Sequence, residues 1–474
     1  MVINIMSHYN IENQPLEYQY TFRIKLKNKI GVLAKTTNII AEFPAEFGAI
    51  DTIEVTKEYT IRDITIKTVN EEIAKQIENA LLQFKDIEII YAVDHILLNH
   101  LGGKLEIKSK KPIFNREDLS IFYTPGVAKV CNEIYKYPEK VYDFTIKCNS
   151  VAVVTDGSAV LGLGNLGPEA ALPVMEGKAM LFKTFANIDA FPICLKTQNV
   201  EEIIHIVKQI EPVFGGINLE DIAAPRCFEI EERLTKELNI PVFHDDQHGT
   251  AIVVTAAIIN ALKIVQKKYE DVKVILVGVG AAGIACTKML LQLGIKNIIG
   301  FDRNGAVTKD RKDLNQYKRW FAENTNPYNE KGSLEEVIKG SDIFIGLSGP
   351  NILSVESIKK MNKDAIIFAL SNPDPEIKPE LAQPYAKIIA TGRSDYPNQI
   401  NNVLCFPGLF RGLLDSRTKY ITDEIKLAAS YAIAKTIPED QLMPDYIIPS
   451  VFDPMVAQNV AKAVISTVQK QKSN

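Results

Sequence analysis

The sequence predicts an α/β protein: a small βαββαβ module followed by a longer region of doubly wound, mostly parallel sheet. Three observations carry this. Short apolar strands recur between helical patterns from Ser150 onward, the signature of parallel sheets built from βαβ units. One such strand runs into a Gly-x-Gly-x-x-Gly turn that opens a helix, Gly278-Val279-Gly280-Ala281-Ala282-Gly283. The first hundred residues alternate strand and helix in βαββαβ order.

Composition narrows the function classes. The chain has 474 residues, 46% hydrophobic and 24% charged, with a formal net charge of −4, an ordinary globular balance for two to four domains. No basic footprint for nucleic acid is present, since Lys108, Lys110 and Lys111 read as an exposed linker. The longest uncharged apolar stretches, 250–262 and 274–287, are too short to span a bilayer, so no membrane partner is expected. Residues 1–10 show neither a basic leader nor a full apolar core, so no signal peptide is read. The six cysteines are scattered without a Cys-x-x-Cys pair, which suits reduced thiols and a cytoplasmic location.

In the first module the pattern reads strand (20–26), helix (31–42), strands (50–57 and 60–69), helix (71–84) and strand (87–93). That order makes a ferredoxin-like unit. Its first turn, Lys27-Asn28-Lys29-Ile30-Gly31-Val32-Leu33, resembles the signature turn of ACT domains over residues 17–98. The resemblance implies a small effector, an amino acid or similar molecule, held near Asn28, Gly31 and Val32, usually across a dimer interface. A homodimer or higher homo-oligomer is therefore expected, and a purely dimerising module is the alternative.

The second region reads strand (150–155), Gly-rich loop, helix (170–185), strand (191–195) and helix (200–210). A strand near 216–219, a helix (224–238) and a strand (241–243) complete it. After an apolar helix from Ala251 to Val265, strands are expected at 272–277, 297–301, 342–346, 365–370, 387–390 and 403–405. The division expected is an α/β substrate and metal domain over 110–250 and a Rossmann-type domain over 251–474, its C-terminal helices packing back on the domain before.

Gly-x-Gly-x-x-Gly occurs twice, and context separates the copies. The copy at Gly278 follows a strand, opens a helix and is followed by a strand ending in Asp302. That arrangement places pyrophosphate on the helix N-terminus and a carboxylate on the ribose. The copy at Gly162, Gly164 and Gly167 runs into Pro168 and reads as a tight loop beside the substrate. Asp302 favours NAD, while Arg303 beside it leaves NADP open.

Four carboxylates, Glu220 and Asp221, then Asp245 and Asp246, follow two strands of the second region. A carboxylate-only set suits Mg2+ or Mn2+; two unrelated helix-capping or salt-bridged pairs would look the same in sequence. Glu231, Glu232 and Arg233 read as a solvated helix face. Tyr123 precedes a Pro-Gly turn, where a phenol can point into a cleft. Lys178 interrupts an apolar helix; it either snorkels to solvent or, buried beside a metal, has its pKa lowered and acts as a base.

Together these segments resemble malic enzymes. The resemblance rests on 123–127 (Tyr-Thr-Pro-Gly-Val), 155–157 (Thr-Asp-Gly), 161–167 (Leu-Gly-Leu-Gly-Asn-Leu-Gly) and 176–178 (Glu-Gly-Lys). It continues through 219–221 (Leu-Glu-Asp), 244–250 (His-Asp-Asp-Gln-His-Gly-Thr), the fingerprint at Gly278, 369–373 (Ala-Leu-Ser-Asn-Pro), 401–403 (Asn-Asn-Val) and 406–408 (Phe-Pro-Gly). It implies a malate dehydrogenase of the oxaloacetate-decarboxylating type, taking L-malate to pyruvate and CO2 with NAD, or NADP, and Mg2+ or Mn2+. Carried over by motif, Glu220, Asp221 and Asp246 hold the metal and Asp245 is a proton-handling acid beside it. Lys178 is the base for the C2 hydroxyl, and Tyr123 the acid that protonates the enolpyruvate carbon. Thr250, Gly278, Gly280, Ala281, Ala282, Gly283, Asp302 and Asn372 contact the cofactor, and Asn372 and Asn402 bind malate. One departure stands out: Ala159 occupies the place where the longer eukaryotic type has a carboxylate-binding arginine. The rival readings are a malolactic enzyme that retains NAD and releases lactate, and a non-enzymatic effector sensor, which would require broken catalytic positions.

Overall fold

The computed structural model describes residues 18–473 in two compact units, one ending at Lys104 and the other beginning at Leu105. In the first, strands β1 (Tyr18–Lys27), β2 (Ala45–Val55), β3 (Tyr59–Thr68) and β4 (Ile87–Asp94) form an antiparallel sheet in the order β2-β3-β1-β4. Helices Val32–Ala41 and Glu71–Leu82 supply Ile40, Ile73, Ile77 and Leu81 to a core with Phe22, Ile24, Ile64 and Ile66 of the sheet. The alternation of buried and half-buried residues along β1 is that of a one-sided sheet. Strand β2 begins five residues before its expected start, because the pairing with β3 continues past Gly48 through a bulge. A glycine inside a strand reads as a break in sequence and serves as a bulge in structure.

In the second unit, β5 (Ser150–Thr155), β6 (Asp189–Cys194), β7 (Gly216–Leu219) and β8 (Val242–His244) form a parallel sheet ordered β6-β5-β7-β8. A second sheet takes the order β11-β10-β9-β12-β13-β14, with β9 (Lys273–Val277), β10 (Asn297–Asp302), β11 (Gly305–Ala306), β12 (Ile343–Gly346), β13 (Ile366–Ala369) and β14 (Ile388–Thr391). All its pairs are parallel except β10 with β11. The chain order reverses beside β9, the place where open α/β sheets bind ligands.

The helix Thr250–Val265 joins the two sheets. Its residues Ala251–Leu262 are all buried, and the apolar ones share a cluster with Val151, Phe182 and Phe243 on one side and Val274, Ile298 and Ile343 on the other. The boundary expected at residue 250 therefore runs through a shared core. The helix Phe406–Ser416 packs back on the helix Pro168–Ala186 beside the β5–β8 sheet: the Phe406 and Phe410 rings meet the Phe182 ring edge-on at 4.7 and 5.3 Å.

One expected strand is absent. Residues Asn402–Leu404 form a tight helical turn that leads into the helix from Phe406. An apolar triplet cannot be told from the first turn of a buried helix by periodicity alone.

Candidate active site

Each acidic pair follows the C-terminal end of a strand, and the two strands, β7 and β8, are neighbours. Adjacent parallel strands bring Glu220-Asp221 and Asp245-Asp246 together. One carboxylate oxygen from each of Glu220, Asp221 and Asp246 lies within 4.8 Å of the others. Asp221 has a left-handed backbone, φ 53°, and its N–H donates to Asp246 Oδ2 at 2.8 Å, which ties the pairs to each other. Asp245 to Gly249 make a single π-helical turn before the long helix, a widened turn of a kind frequent at functional sites.

Lys178 reaches this cluster from the helix Pro168–Ala186 and is buried. Its Nζ donates to Asp245 Oδ2 at 2.5 Å and to Glu220 Oε1 at 3.0 Å, and lies 4.1 Å from the centre of the Phe406 ring. Burial pulls the lysine pKa down, but Asp245 and Glu220 outweigh it and the net direction is up. In the metal-free site two carboxylates in direct contact override desolvation. Burial, with Asp246 next, raises Asp221 to about 7. Glu220 is also pushed well up, by burial first and by the neighbouring acids Asp245 and Asp246.

A cavity of about 590 Å3 opens over the cluster. Its wall includes Lys178, Glu220, Asp221, Asp245 and Asp246, with Thr250, Asn372 and Asn402. Asn402 donates to Asp245 Oδ2 at 2.8 Å and accepts from Thr250 Oγ1 at 3.2 Å. Ala159 and Gly162 lie on the same wall, where the first Gly-rich loop was expected to sit. Ser348 and Ser371 also face the cavity; their N–H groups donate to Glu376, a buried carboxylate. No spacing rule marks such backbone donors in sequence. The buried Asp221 Oδ2 and Asp245 Oδ1 have no hydrogen-bond partner, and the donors are all carboxylate oxygens, so the residues fit a hard divalent cation.

A second cavity, about 940 Å3, is lined by Gly278, Gly280, Asp302, Arg303 and Lys318 and shares Ala224, Leu347 and Ser348 with the first. Gly278 has φ +109°, and a Cβ on Gly283 would lie 2.1 Å from the Gly278 carbonyl; the third glycine is there for close packing and lines neither cavity. Ala281 and Ala282 line the acidic cavity, not this one.

Asp302 is already engaged: Arg311 grips both its oxygens, at 2.7 and 3.2 Å, and Lys318 donates at 2.5 Å. Sequence reading missed both cations, which lie 9 and 16 residues beyond it.

Tyr123 is not brought to the cavity. It is 66% exposed and lies outside the cavity's wall, on a stretch from Leu105 to Ile146 in which no residue is buried. A turn tyrosine needs a neighbouring wall to form a cleft, and its own unit supplies none there. In the first unit, Asn28 donates to the Thr56 carbonyl and accepts from Thr60 Oγ1, tying down the β2–β3 hairpin. Gly31 takes the left-handed turn before the helix, and Val32 is buried in the core.

The fold and cavities define an α/β protein that sets a dinucleotide-type glycine turn beside a carboxylate centre. Residues 102–235 match the family model for the malic enzyme N-terminal domain, and residues 247–471 that for the malic enzyme NAD-binding domain. The chain belongs to the malic enzyme family. It is 56% identical to an NAD-dependent malic enzyme of Geobacillus stearothermophilus over 95% of this chain and 94% of that protein. A bifunctional malic/malolactic enzyme of Bacillus subtilis is 57% identical over 76% of this chain and 89% of its own length. The crystal structure of the NAD-dependent malic enzyme from Thermotoga maritima superposes with a TM-score of 0.76 at 53% identity, covering 79% of this chain and 99% of that one.

Proposed function

We propose that this chain catalyses the oxidative decarboxylation of L-malate to pyruvate and CO2, with NAD as hydride acceptor and a divalent cation at Glu220, Asp221 and Asp246. The observation that carries the reading is Lys178, buried between Asp245 and Glu220 on the wall of a cavity that adjoins the glycine turn. When bound, the cation supplies Lewis acidity toward the substrate's oxygens. Lys178 Nζ first passes a proton to Asp245, which it touches at 2.5 Å, and as the free amine then takes the C2 hydroxyl proton. Asn402 donates to the same Asp245 oxygen as Lys178 and holds that carboxylate in place, and Asn402 and Asn372 present amides to substrate from the wall. Steady-state assays with NAD and NADP across hydroxy acids and metals test this: NADH formation from L-malate with Mn2+ or Mg2+ is expected. No reduction with any hydroxy acid under either metal would defeat it.

NAD is the preferred cofactor in this reading, with Asp302 toward the ribose hydroxyls. Arg311 and Lys318 lower the repulsion that Asp302 alone would exert on a 2′-phosphate, so measurable NADP turnover is expected as well. The malolactic reading is favoured by one observation, the bifunctional Bacillus subtilis relative. Lactate formed without net NADH would mark it.

Two further parts of the reading concern assembly. The helices Arg116–Phe122 and Val127–Lys136 sit in a stretch with no buried residue, exposing Ile107, Phe114 and Tyr135 at 92, 83 and 88%. Apolar surface of this extent marks an interface. We assign it to a second copy of the chain, whose acidic cavity it supplies with Tyr123 as the acid for the enolpyruvate carbon. The N-terminal unit, whose strand order is that of a ferredoxin-like sheet, is proposed as an ACT module that binds an amino acid or similar effector at the turn of Asn28 and Gly31. Titrating the full chain with amino acids, read by heat and by malate kinetics, tests the effector role.

A further inference from the structure

Glu231 reads in sequence as part of a solvated helix face with Glu232 and Arg233. The structure separates them. Glu232 pairs with Lys236 and Arg233 with Glu201 at the surface, whereas Glu231 turns inward, its side chain 13% exposed. Its partners all belong to the acidic turn. Oε1 accepts from the His244 N–H at 3.0 Å and lies 2.9 Å from His248 Nε2. Oε2 accepts from Gln247 Nε2 at 3.1 Å and lies 3.0 Å from the same histidine nitrogen.

One carboxylate on the helix Arg226–Glu237 therefore grips the residue before Asp245-Asp246 and the two residues after it. No other side chain among the described residues makes hydrogen bonds to both flanks of that pair. We infer that Glu231 is a positioning residue for the carboxylate centre: it pins the ends of the turn, so that Asp246 faces Asp221 and Asp245 faces Lys178. The inference rests on the proposed cation at Glu220, Asp221 and Asp246.

A carboxylate suits this task because it accepts at both oxygens and repels none of its four contacts. The isosteric amide keeps the shape but turns one acceptor into a donor, which then faces the Gln247 amide and the imidazole. Loosening a ligand's support costs metal affinity on the order of tenfold or more, even where no ligand is lost.

The test compares full-length wild type, Glu231→Gln and Asp246→Asn by Mn2+ titration, read from the free-ion electron paramagnetic resonance signal. NAD affinity and malate KM are measured alongside. Expected for Glu231→Gln is Mn2+ binding weaker by roughly tenfold and a raised malate KM, with NAD affinity unchanged. Mn2+ affinity equal to wild type, or NAD affinity falling in step with it, would overturn the positioning role. Wild type that binds no Mn2+ would instead sink the metal reading itself. Should Glu231→Gln fail to fold, Gln247→Met removes a single contact, and a few-fold loss of Mn2+ affinity is expected; no loss would overturn the role.

Discussion

At the scale of single residues, the centre is a balance between one buried lysine and four acids on the wall of a cavity. Replacing Lys178 by methionine keeps the length and the Phe406 contact but removes the proton acceptor. A loss of kcat of roughly a hundred- to ten-thousand-fold is expected, with NAD affinity intact by equilibrium titration. Asp221 gives a pH prediction with a defined sign. Its folded pKa, raised to about 7, lies above that of the unfolded chain, so the metal-free fold holds a proton that the unfolded chain has released. Stability should therefore fall as pH rises from about 4 to about 7, and added Mn2+ should flatten that slope. Thermal midpoints at several pH values, with chelator and with Mn2+, check both halves. The candidate acids, Lys178, Asn372 and Asn402 were marked in sequence through the malic enzyme motifs that hold them, since spacing alone left capping acids and a snorkelling lysine equally open. Arg311, Lys318, Glu231 and Glu376 were not, since their roles come from what faces them across the fold.

At the scale of elements, the widened turn from Asp245 to Gly249 depends on the absence of a side chain. A Cβ on Gly249 would lie 2.0 Å from Asp245 Oδ1 and 3.2 Å from Asn402 Nδ2. Gly249→Ala should cost about 1–3 kcal/mol of stability as a local overpacking. It should also displace Asp245 from Lys178, so that kcat falls further than stability alone explains; denaturant titration beside steady-state kinetics separates the two effects. The helix Phe406–Ser416 uses the same device twice, with Gly408 and Gly412 set against the helix Pro454–Ser473. A Cβ at either would lie 2.6 Å from Ala457 O or Val464 Cβ. Most strands and helices were readable from period and punctuation. The failures, the start of β2 and the lost strand at 403–405, fall where a glycine bulge or a buried helical turn imitates the other pattern.

At the scale of the whole molecule, the proposed pairing of two copies can be tested without a structure of the complex. Tyr123→Phe and Lys178→Ala should each lose activity alone, yet mixtures allowed to exchange subunits should recover part of it. One cavity of each mixed dimer would then combine an intact Lys178 with an intact Tyr123. No recovery, with exchange verified by size and label, would place the phenol elsewhere. The sequence by itself determined the α/β class and the two glycine turns, which are written in local spacing, whereas the acids and the lysine stood out as a set only through the family motifs that hold them. Only the tertiary structure decided that β7 and β8 are neighbours, that Lys178 is held protonated by the acids it touches, and that Asp302 is already gripped by two cations. It also turned Glu231 inward and left Tyr123 outside its own unit's cavity. Those outcomes depend on which elements pack together and on how much water they exclude, and neither is recorded in the local spacing of residues.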